Sequence, residues 1–163
     1  MDEPCFTEEL ERCESYGEIF DLVKKSVKKI LGLHRVGLLL YLKSLPLKVG
    51  AYYQTGSNSI VLNKLLIDVM SKVLISRNDY NSFIFSLLLH EYLHSLGFLD
   101  ENKVRGLTHK ICREIFGEDH PTVKMSLEPP APTILEYRDE RYLDSSDVVI
   151  IRNFEKIEHS YIA

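Results

Sequence analysis

Near the middle of the chain the sequence runs Leu87-Leu88-Leu89-His90-Glu91-Tyr92-Leu93-His94-Ser95-Leu96-Gly97-Phe98-Leu99-Asp100. The leucines make this segment apolar almost all round, which is typical of a helix buried in a protein core. Residues four apart in a helix point the same way, so we expect His90 and His94 to lie on one face. Glu91 follows His90 directly. The segment therefore predicts a buried helix that carries two imidazoles and a carboxylate.

These polar groups need partners, because an unpaired polar group in a protein interior costs about 1–3 kcal/mol. Two imidazoles one helical turn apart can bind a single Zn²⁺ at about 2.0–2.1 Å and leave room for a third ligand and a water. A nearby carboxylate can then take a proton from that water. The simpler interpretation is a pair of core histidines with Glu91 at the surface. The spacing favours the metal, with His90 and His94 as ligands and Glu91 as the catalytic base.

At these residues the chain resembles the zincins, the zinc peptidases that share the HExxH motif. Extended through residues 90–100, the pattern HExxHxxGxxD is similar to the metzincin motif, with Asp where most members carry a third His. The resemblance implies zinc as the cofactor, a peptide or protein as the substrate, and Asp100 as the third metal ligand. Gly97 fits this, because glycine can take a positive φ and turn the chain back within a few residues.

The identity of the third ligand leaves alternatives open. Asp100 is also a good N-cap for a following helix, which we expect to run to Phe116. Glu114 follows His90 at a spacing seen among gluzincin-type zinc peptidases. In an antiparallel helix pair, however, Glu114 would lie about 20 Å from the turn, whereas His90 lies about 9 Å from it. His120 could return to the site through a few extended residues after the second helix. We rank Asp100 narrowly ahead of His120, with Glu114 third.

The composition is that of an ordinary globular chain. Its 163 residues suit a single domain over 1–163, 45% of them are apolar, and the net charge is −4. This balance argues against a nucleic-acid partner, and no apolar run is long enough to predict a membrane helix. The acidic N-terminus predicts no export signal. Cys5, Cys13 and Cys112 form neither a closed disulfide set nor a metal spacing, which favours the reducing cytoplasm.

Apolar periodicity and turn residues predict the remaining elements. We expect a helix over 7–31, a buried strand over 36–42, a hairpin of strands 49–54 and 59–63 around the turn 55–58, a helix over 64–75, and the central helix from a cap at Asn78 or Asp79 to about Leu96. After these come the helix 101–116, a proline-rich connector at 126–133, and a C-terminal extension over 134–163 with a short strand candidate at 147–151. By resemblance to the zincins, 59–63 or 51–53 would lie along the cleft and pair with an extended substrate.

These patterns predict a small zincin-like α/β (α+β) domain, in which a twisted mixed or mostly antiparallel sheet packs on the buried HExxH helix. The expected activity is zinc-dependent hydrolysis of peptide bonds. One alternative is another metal-dependent hydrolase such as an endoribonuclease. Some small ribosome-associated endoribonucleases carry a similar motif, although they usually lack the Glu that this chain has as Glu91. The other alternative is a zinc-stabilised interaction module without activity.

Overall fold

The computed structural model describes residues 5–128 and 147–155. Over these residues the chain forms six helices and a four-stranded mixed sheet, which confirms the α/β class. The helices are α1 (Phe6–Arg12), α2 (Tyr16–Leu31), α3 (Lys64–Val73), α4 (Arg77–Ser95), α5 (Glu101–Phe116) and α6 (Pro121–Leu127), and the strands are β1 (Leu39–Lys43), β2 (Ala51–Tyr53), β3 (Ser59–Asn63) and β4 (Val148–Ile150). None of the described helices is both long enough and apolar enough to cross a membrane.

The sheet has the strand order β2-β3-β1-β4. β1 and β3 run parallel with Leu40 opposite Ile60, while β2 pairs antiparallel with β3 and β4 pairs antiparallel with β1. The hairpin expected around residues 55–58 is present as the pair β2–β3. Within the described sheet, β2 is an edge strand, so one side of its backbone is left without a strand partner.

The helix α4 is the centre of the core. It contacts α1, α2, α5 and α6 as well as the strands β2 and β3. Tyr92, which is fully buried, packs edge-to-face on Phe20 of α2 with ring centroids 5.4 Å apart. A helix that is apolar on most sides is stable only when other elements surround it, and the structure confirms this expectation for α4.

The prediction of one continuous helix over 7–31 was wrong in one respect. The helix is interrupted before Ser15, so this part of the chain forms two helices, α1 and α2. Ser15 caps the start of α2 with its side chain. The end of α1 is held by a tertiary partner, the side-chain amide of Asn81 on α4. This amide donates to the carbonyl oxygens of Leu10 at 2.8 Å and Cys13 at 2.9 Å. This buried contact satisfies carbonyl groups at the end of α1, and apolar periodicity does not reveal it.

Strand β1 begins at Leu39, later than the apolar run over 36–42 predicted. The backbone N–H groups of Gly37 and Leu38 donate to the carboxylate of Glu155 over 2.8 and 3.1 Å. These N–H groups are therefore hydrogen-bonded to a side chain that is distant in sequence, and the hydrogen bonds of the sheet begin only after them.

The helix α4 also begins differently from the expectation. Its N-cap is Ser76 and not Asn78 or Asp79, and the Ser76 hydroxyl accepts a hydrogen bond from the backbone N–H of Asp79 at 3.0 Å. Several capping residues stand close together in this part of the sequence, so the sequence alone did not select one of them.

The helix α6 was not expected. A proline occupies its first turn and His120 is its N-cap, so the start of the connector predicted at 126–133 is helical. Residues 129–133 of that connector and most of the predicted extension over 134–163 lie outside the described residues. Within 147–155, β4 confirms the strand candidate. The single-domain organisation stays a prediction.

Candidate metal centre

The C-terminal half of α4 brings His90, Glu91 and His94 together, as their spacing predicted. One ligand atom from each residue lies within 4.8 Å of the others, close enough for the three to hold one metal ion. The two imidazole rings have centroids 5.0 Å apart, and their side chains are 26% and 11% exposed. Imidazole nitrogen and carboxylate oxygen are ligand types that zinc binds in proteins, so these residues fit a metal ion.

Glu91 is buried, with only 4% of its surface exposed. Burial raises the pKa of Glu91 to about 8, and the nearby carboxylate of Glu101 adds to the rise. A general base is most effective when its pKa lies near the operating pH, so this environment suits a carboxylate that accepts and returns a proton. The burial also contradicts the simpler interpretation, in which Glu91 lies at the surface beside two core histidines.

Gly97 turns the chain back after α4. Its φ is +106°, a conformation that residues with a side chain rarely adopt, and its N–H donates to the carbonyl oxygen of His94 at 3.0 Å. The reversal brings the carbonyl oxygen of Phe98 to 2.7 Å from Nδ1 of His94. Because a carbonyl oxygen only accepts, Nδ1 carries the hydrogen, and Nε2 is the ring atom left for a metal.

The same reversal brings Glu101, the first residue of α5, to both imidazoles. Its Oε2 lies 3.0 Å from Nε2 of His90, and its Oε1 lies 2.8 Å from Nε2 of His94. Partial burial tends to raise the pKa of Glu101, but the two imidazoles outweigh this and the pKa is lowered. Burial lowers the pKa of His90, and the attraction of Glu101 opposes that change. One carboxylate therefore spans both histidines.

No family model, curated protein or solved structure matches this chain. The similarity of residues 90–100 to the metzincin motif therefore rests on those residues alone. The geometry by itself supports a group of side chains that can bind a metal ion.

Asp100 has the alternative role that the sequence offered, as the N-cap of α5. Its Oδ1 accepts hydrogen bonds from the backbone N–H groups of Asn102 at 2.9 Å and Lys103 at 3.4 Å. Within the described residues, the hydrogen bonds of the two imidazoles go to Glu101 and to the carbonyl oxygen of Phe98, and Asp100 is not among their partners. The Asp100 carboxylate is thus engaged by α5.

His120 lies towards the other end of α4. Its Nδ1 accepts from the N–H of Thr122 at 3.2 Å, and its ring stacks on Phe116 with centroids 4.5 Å apart. Burial lowers its pKa, and the charge of Asp79 in the first turn of α4 opposes the change. Asp79 and His90 are separated by about 16 Å along the helix axis, given a rise of 1.5 Å per residue. The structure therefore does not bring His120 to His90.

Glu101 was missed among the candidates that the sequence suggested. An acidic residue in the first turn of a helix is ordinary, because it interacts favourably with the helix dipole, so Glu101 carried no distinctive signal. The available signal was positional, since the residues of α5 nearest to the Gly97 turn return closest to His94. Glu114 lies exposed towards the far end of α5, where it is remote from that turn.

A cavity of about 410 Å³ opens beside His90 and Glu91. Its walls include Gly50 and Ala51 at the start of β2, Phe83 and Leu87 on α4, and Arg105 and Thr108 on α5. The cavity thus joins the metal-binding group to the edge of the sheet, and it offers space for a ligand larger than water.

Proposed function

We propose that this protein hydrolyses peptide bonds with a bound zinc ion. One observation carries the proposal: the buried carboxylate of Glu91 lines the same cavity as His90. A hydrolytic zinc site needs a base beside the metal and an open path for substrate, whereas a zinc ion that only stabilises a fold needs neither. The combination of buried base, paired imidazoles and adjoining cavity favours the hydrolase.

Each residue of the group then has a distinct task. When bound, zinc supplies the Lewis acid that polarises a carbonyl oxygen and makes water more acidic. His90 and His94 hold the ion, and the hydrogen bond from Nδ1 of His94 to Phe98 keeps Nε2 available. Glu91 accepts the proton of the attacking water and passes it to the nitrogen of the leaving amine. Burial raises the pKa of Glu91, so this carboxylate accepts a proton more readily than an exposed glutamate does.

An extended peptide is the substrate class that the surroundings favour. Gly50 and Ala51 lie in the cavity wall, and Ala51 begins the edge strand β2. An edge strand can pair with the backbone of an extended peptide through its free N–H and C=O groups. A side chain next to the scissile bond would then enter the cavity towards Phe83 and Leu87.

The two alternatives, an endoribonuclease and a structural zinc site, each require a feature that differs from what is observed. Binding of RNA depends on cationic surface, but this chain has a net charge of −4, and carboxylates of Glu91 and Glu101 line the cavity. A structural zinc site is closed by four protein ligands, whereas His90 here faces a cavity. Peptide hydrolysis is therefore the function that we put to the test first.

The test compares wild type with Glu91→Gln, His90→Ala and the control Glu114→Gln, in which the same change is made at an exposed site on α5. We expect Glu91→Gln to retain about one zinc per chain, measured by mass spectrometry, and to lose at least about 100-fold in the rate of casein or peptide cleavage. His90→Ala should lose both the zinc and the activity. Glu114→Gln should keep both.

Parallel reactions with RNA separate the alternatives. A Glu91→Gln protein that cleaves peptides at the wild-type rate would exclude the mechanism. Cleavage of RNA without cleavage of peptides would identify an endoribonuclease. Loss of stability on chelation with neither activity would identify a structural zinc ion.

A further inference from the structure

The two imidazoles are not a complete zinc site. Catalytic zinc sites usually have three protein ligands and leave a fourth position for water or substrate. Glu91 lies in the metal-binding group, but as the proposed base it has to stay free of the metal. One further protein ligand is therefore required, and it has to reach the Nε2 atoms of both His90 and His94.

The carboxylate of Glu101 already has the required position. Ligand atoms around a tetrahedral zinc ion at about 2.0–2.1 Å lie about 3.3 Å from one another. The Glu101 oxygens lie 3.0 Å and 2.8 Å from the Nε2 atoms of His90 and His94. These distances are shorter than ligand spacing by about half an ångström or less, and the Glu101 side chain, 64% exposed, has the freedom to adjust.

The orientation of the His94 ring supports the same placement. Its Nδ1 donates to the carbonyl oxygen of Phe98, so Nε2 is the ring atom that is left for a metal. That Nε2 atom faces Glu101 at 2.8 Å, and the second Glu101 oxygen faces Nε2 of His90 at 3.0 Å. An ion held by the two imidazoles would therefore lie next to this carboxylate.

The two leading ligand candidates that the sequence suggested, Asp100 and His120, have other positions in the structure. Asp100 caps α5 through hydrogen bonds from Asn102 and Lys103. His120 is the N-cap of α6 and interacts with Asp79 in the first turn of α4, about 16 Å from His90 along the helix axis. Neither has a hydrogen bond to His90 or His94 among the described residues.

We propose that Glu101 is the third protein ligand, which completes a site of His90, His94 and Glu101 with an open fourth position. The assignment rests on the proposed function only in requiring that a zinc ion binds. Two nitrogen ligands and one carboxylate with an open position suit Zn²⁺. Because Glu101 opens α5, the ion also links the end of α4 to the start of the next helix.

The test measures the affinity for Zn²⁺ by competition with a chromophoric chelator in wild type, Glu101→Gln, Glu101→Ala and Asp100→Asn. Asparagine is an equally good N-cap, so Asp100→Asn removes the carboxylate and preserves the helix start. We expect both Glu101 variants to bind Zn²⁺ at least about 100-fold more weakly, whereas Asp100→Asn should stay within about threefold of wild type. Visible absorption of the Co²⁺ form should change in the Glu101 variants alone, because it reports the coordination geometry.

Circular dichroism of the metal-free proteins establishes that each variant folds. Glu101→Ala with wild-type affinity and an unchanged Co²⁺ spectrum would overturn the assignment. A larger loss in Asp100→Asn than in the Glu101 variants would overturn it in favour of Asp100. Binding that depends on Glu101 without hydrolysis of peptides would support the ligand set and refute only the proposed function. A wild-type chain that binds no Zn²⁺ would refute both.

Discussion

The guanidinium of Arg35 donates a hydrogen bond to the backbone carbonyl oxygen of Ser95 over 2.5 Å, which ties the last residue of α4 to the loop before β1. The same guanidinium donates to the carbonyl oxygen of Ser57 at 3.0 Å and to the hydroxyl of Tyr53 at 3.1 Å, both in the β2–β3 hairpin. The backbone N–H of Arg35 donates to the hydroxyl of Tyr92 on α4 at 2.9 Å. Arg35 thereby fixes the end of the metal-binding helix relative to the edge of the sheet.

Replacing Arg35 should therefore destabilise the protein. We expect Arg35→Ala to lower the free energy of unfolding by about 1–3 kcal/mol, because the carbonyl oxygen of Ser95 loses this donor and that of Ser57 keeps only the Tyr53 hydroxyl. Arg35→Lys should recover only part of this, since an ammonium cannot reproduce the planar set of donors. Chemical denaturation measures the effect. As a control, Arg77→Ala removes an exposed ion pair of 3.7 Å with Glu14 and should change stability by less than about 1 kcal/mol. Equal losses in Arg35→Ala and Arg77→Ala would contradict this account.

Gly97 in the turn and Gly106 inside α5 allow a matched pair of glycine substitutions. Gly97→Ala introduces strain, because Gly97 has a φ of +106°, and it should lower both stability and Zn²⁺ affinity by displacing Phe98 and Glu101. Gly106 lies inside α5 with open space around it. Gly106→Ala should raise stability by about 0.5–1 kcal/mol through helix propensity. Thermal unfolding and Zn²⁺ titration test both. A Gly97→Ala protein as stable as Gly106→Ala would show that the turn does not need its left-handed conformation.

Zinc should stabilise the folded protein. A free concentration of 100 times the dissociation constant adds about 2.7 kcal/mol to the free energy of unfolding, which corresponds to a rise in Tm of about 5–10 °C. Differential scanning calorimetry measures the shift. Mg²⁺ at the same concentration should have little effect, because imidazole is a poor ligand for it. A shift of equal size with Mg²⁺, or one that persists in His90→Ala, would place the ion at another site.

The stability of the metal-free protein should depend on the ionisation of Glu91. Burial raises the pKa of Glu91 from the ordinary 4.5 to about 8. The folded state therefore binds this proton more tightly than the unfolded state does. Its contribution to stability is complete below about pH 4.5 and is lost as the pH rises through about 8.

Across this window the free energy of unfolding of metal-free wild type should fall, relative to Glu91→Gln, by an amount on the order of a few kcal/mol. Urea denaturation at intervals between about pH 5 and pH 8.5 measures the difference. The same pH dependence in both proteins would show that Glu91 is not the group responsible.

The cysteines should differ in reactivity. Burial raises the pKa of Cys13 to about 11 and the pKa of Cys112 to about 12, whereas Cys5 is exposed. Because the thiolate is the reactive form, iodoacetamide at about pH 8 should modify Cys5 in the native protein and leave the other two thiols intact. Mass spectrometry of proteolytic peptides locates the label, and the same reaction in urea should modify all three. Rapid native labelling of Cys112 would indicate that α5 opens locally.

Much of the metal-binding group could be predicted from the sequence. Local spacing fixes the relative placement of His90, Glu91 and His94, because one helix carries all three. The hairpin around 55–58 and the helix after Asp100 also follow from turn and capping residues close in sequence. These features need only a few neighbouring residues, so local sequence is sufficient for them.

Features that depend on distant partners could not be predicted in this way. The carbonyl oxygens at the end of α1 accept hydrogen bonds from Asn81, and the backbone N–H groups just before β1 donate to Glu155. Their partners become neighbours only after the chain has folded, so no local pattern marks them.

The acidic pair Asp100 and Glu101 at the start of α5 shows most clearly what local sequence determines and what only the folded structure determines. Residue types alone indicate that Gly97 turns the chain and that a carboxylate follows the turn. Asp100 and Glu101 are adjacent, and motif similarity favoured Asp100. In the folded protein Asp100 caps α5, while the carboxylate of Glu101 reaches both imidazoles. The reason is that the position of α5 against α4, which exists only in the folded protein, decides which of two neighbouring side chains faces the histidines.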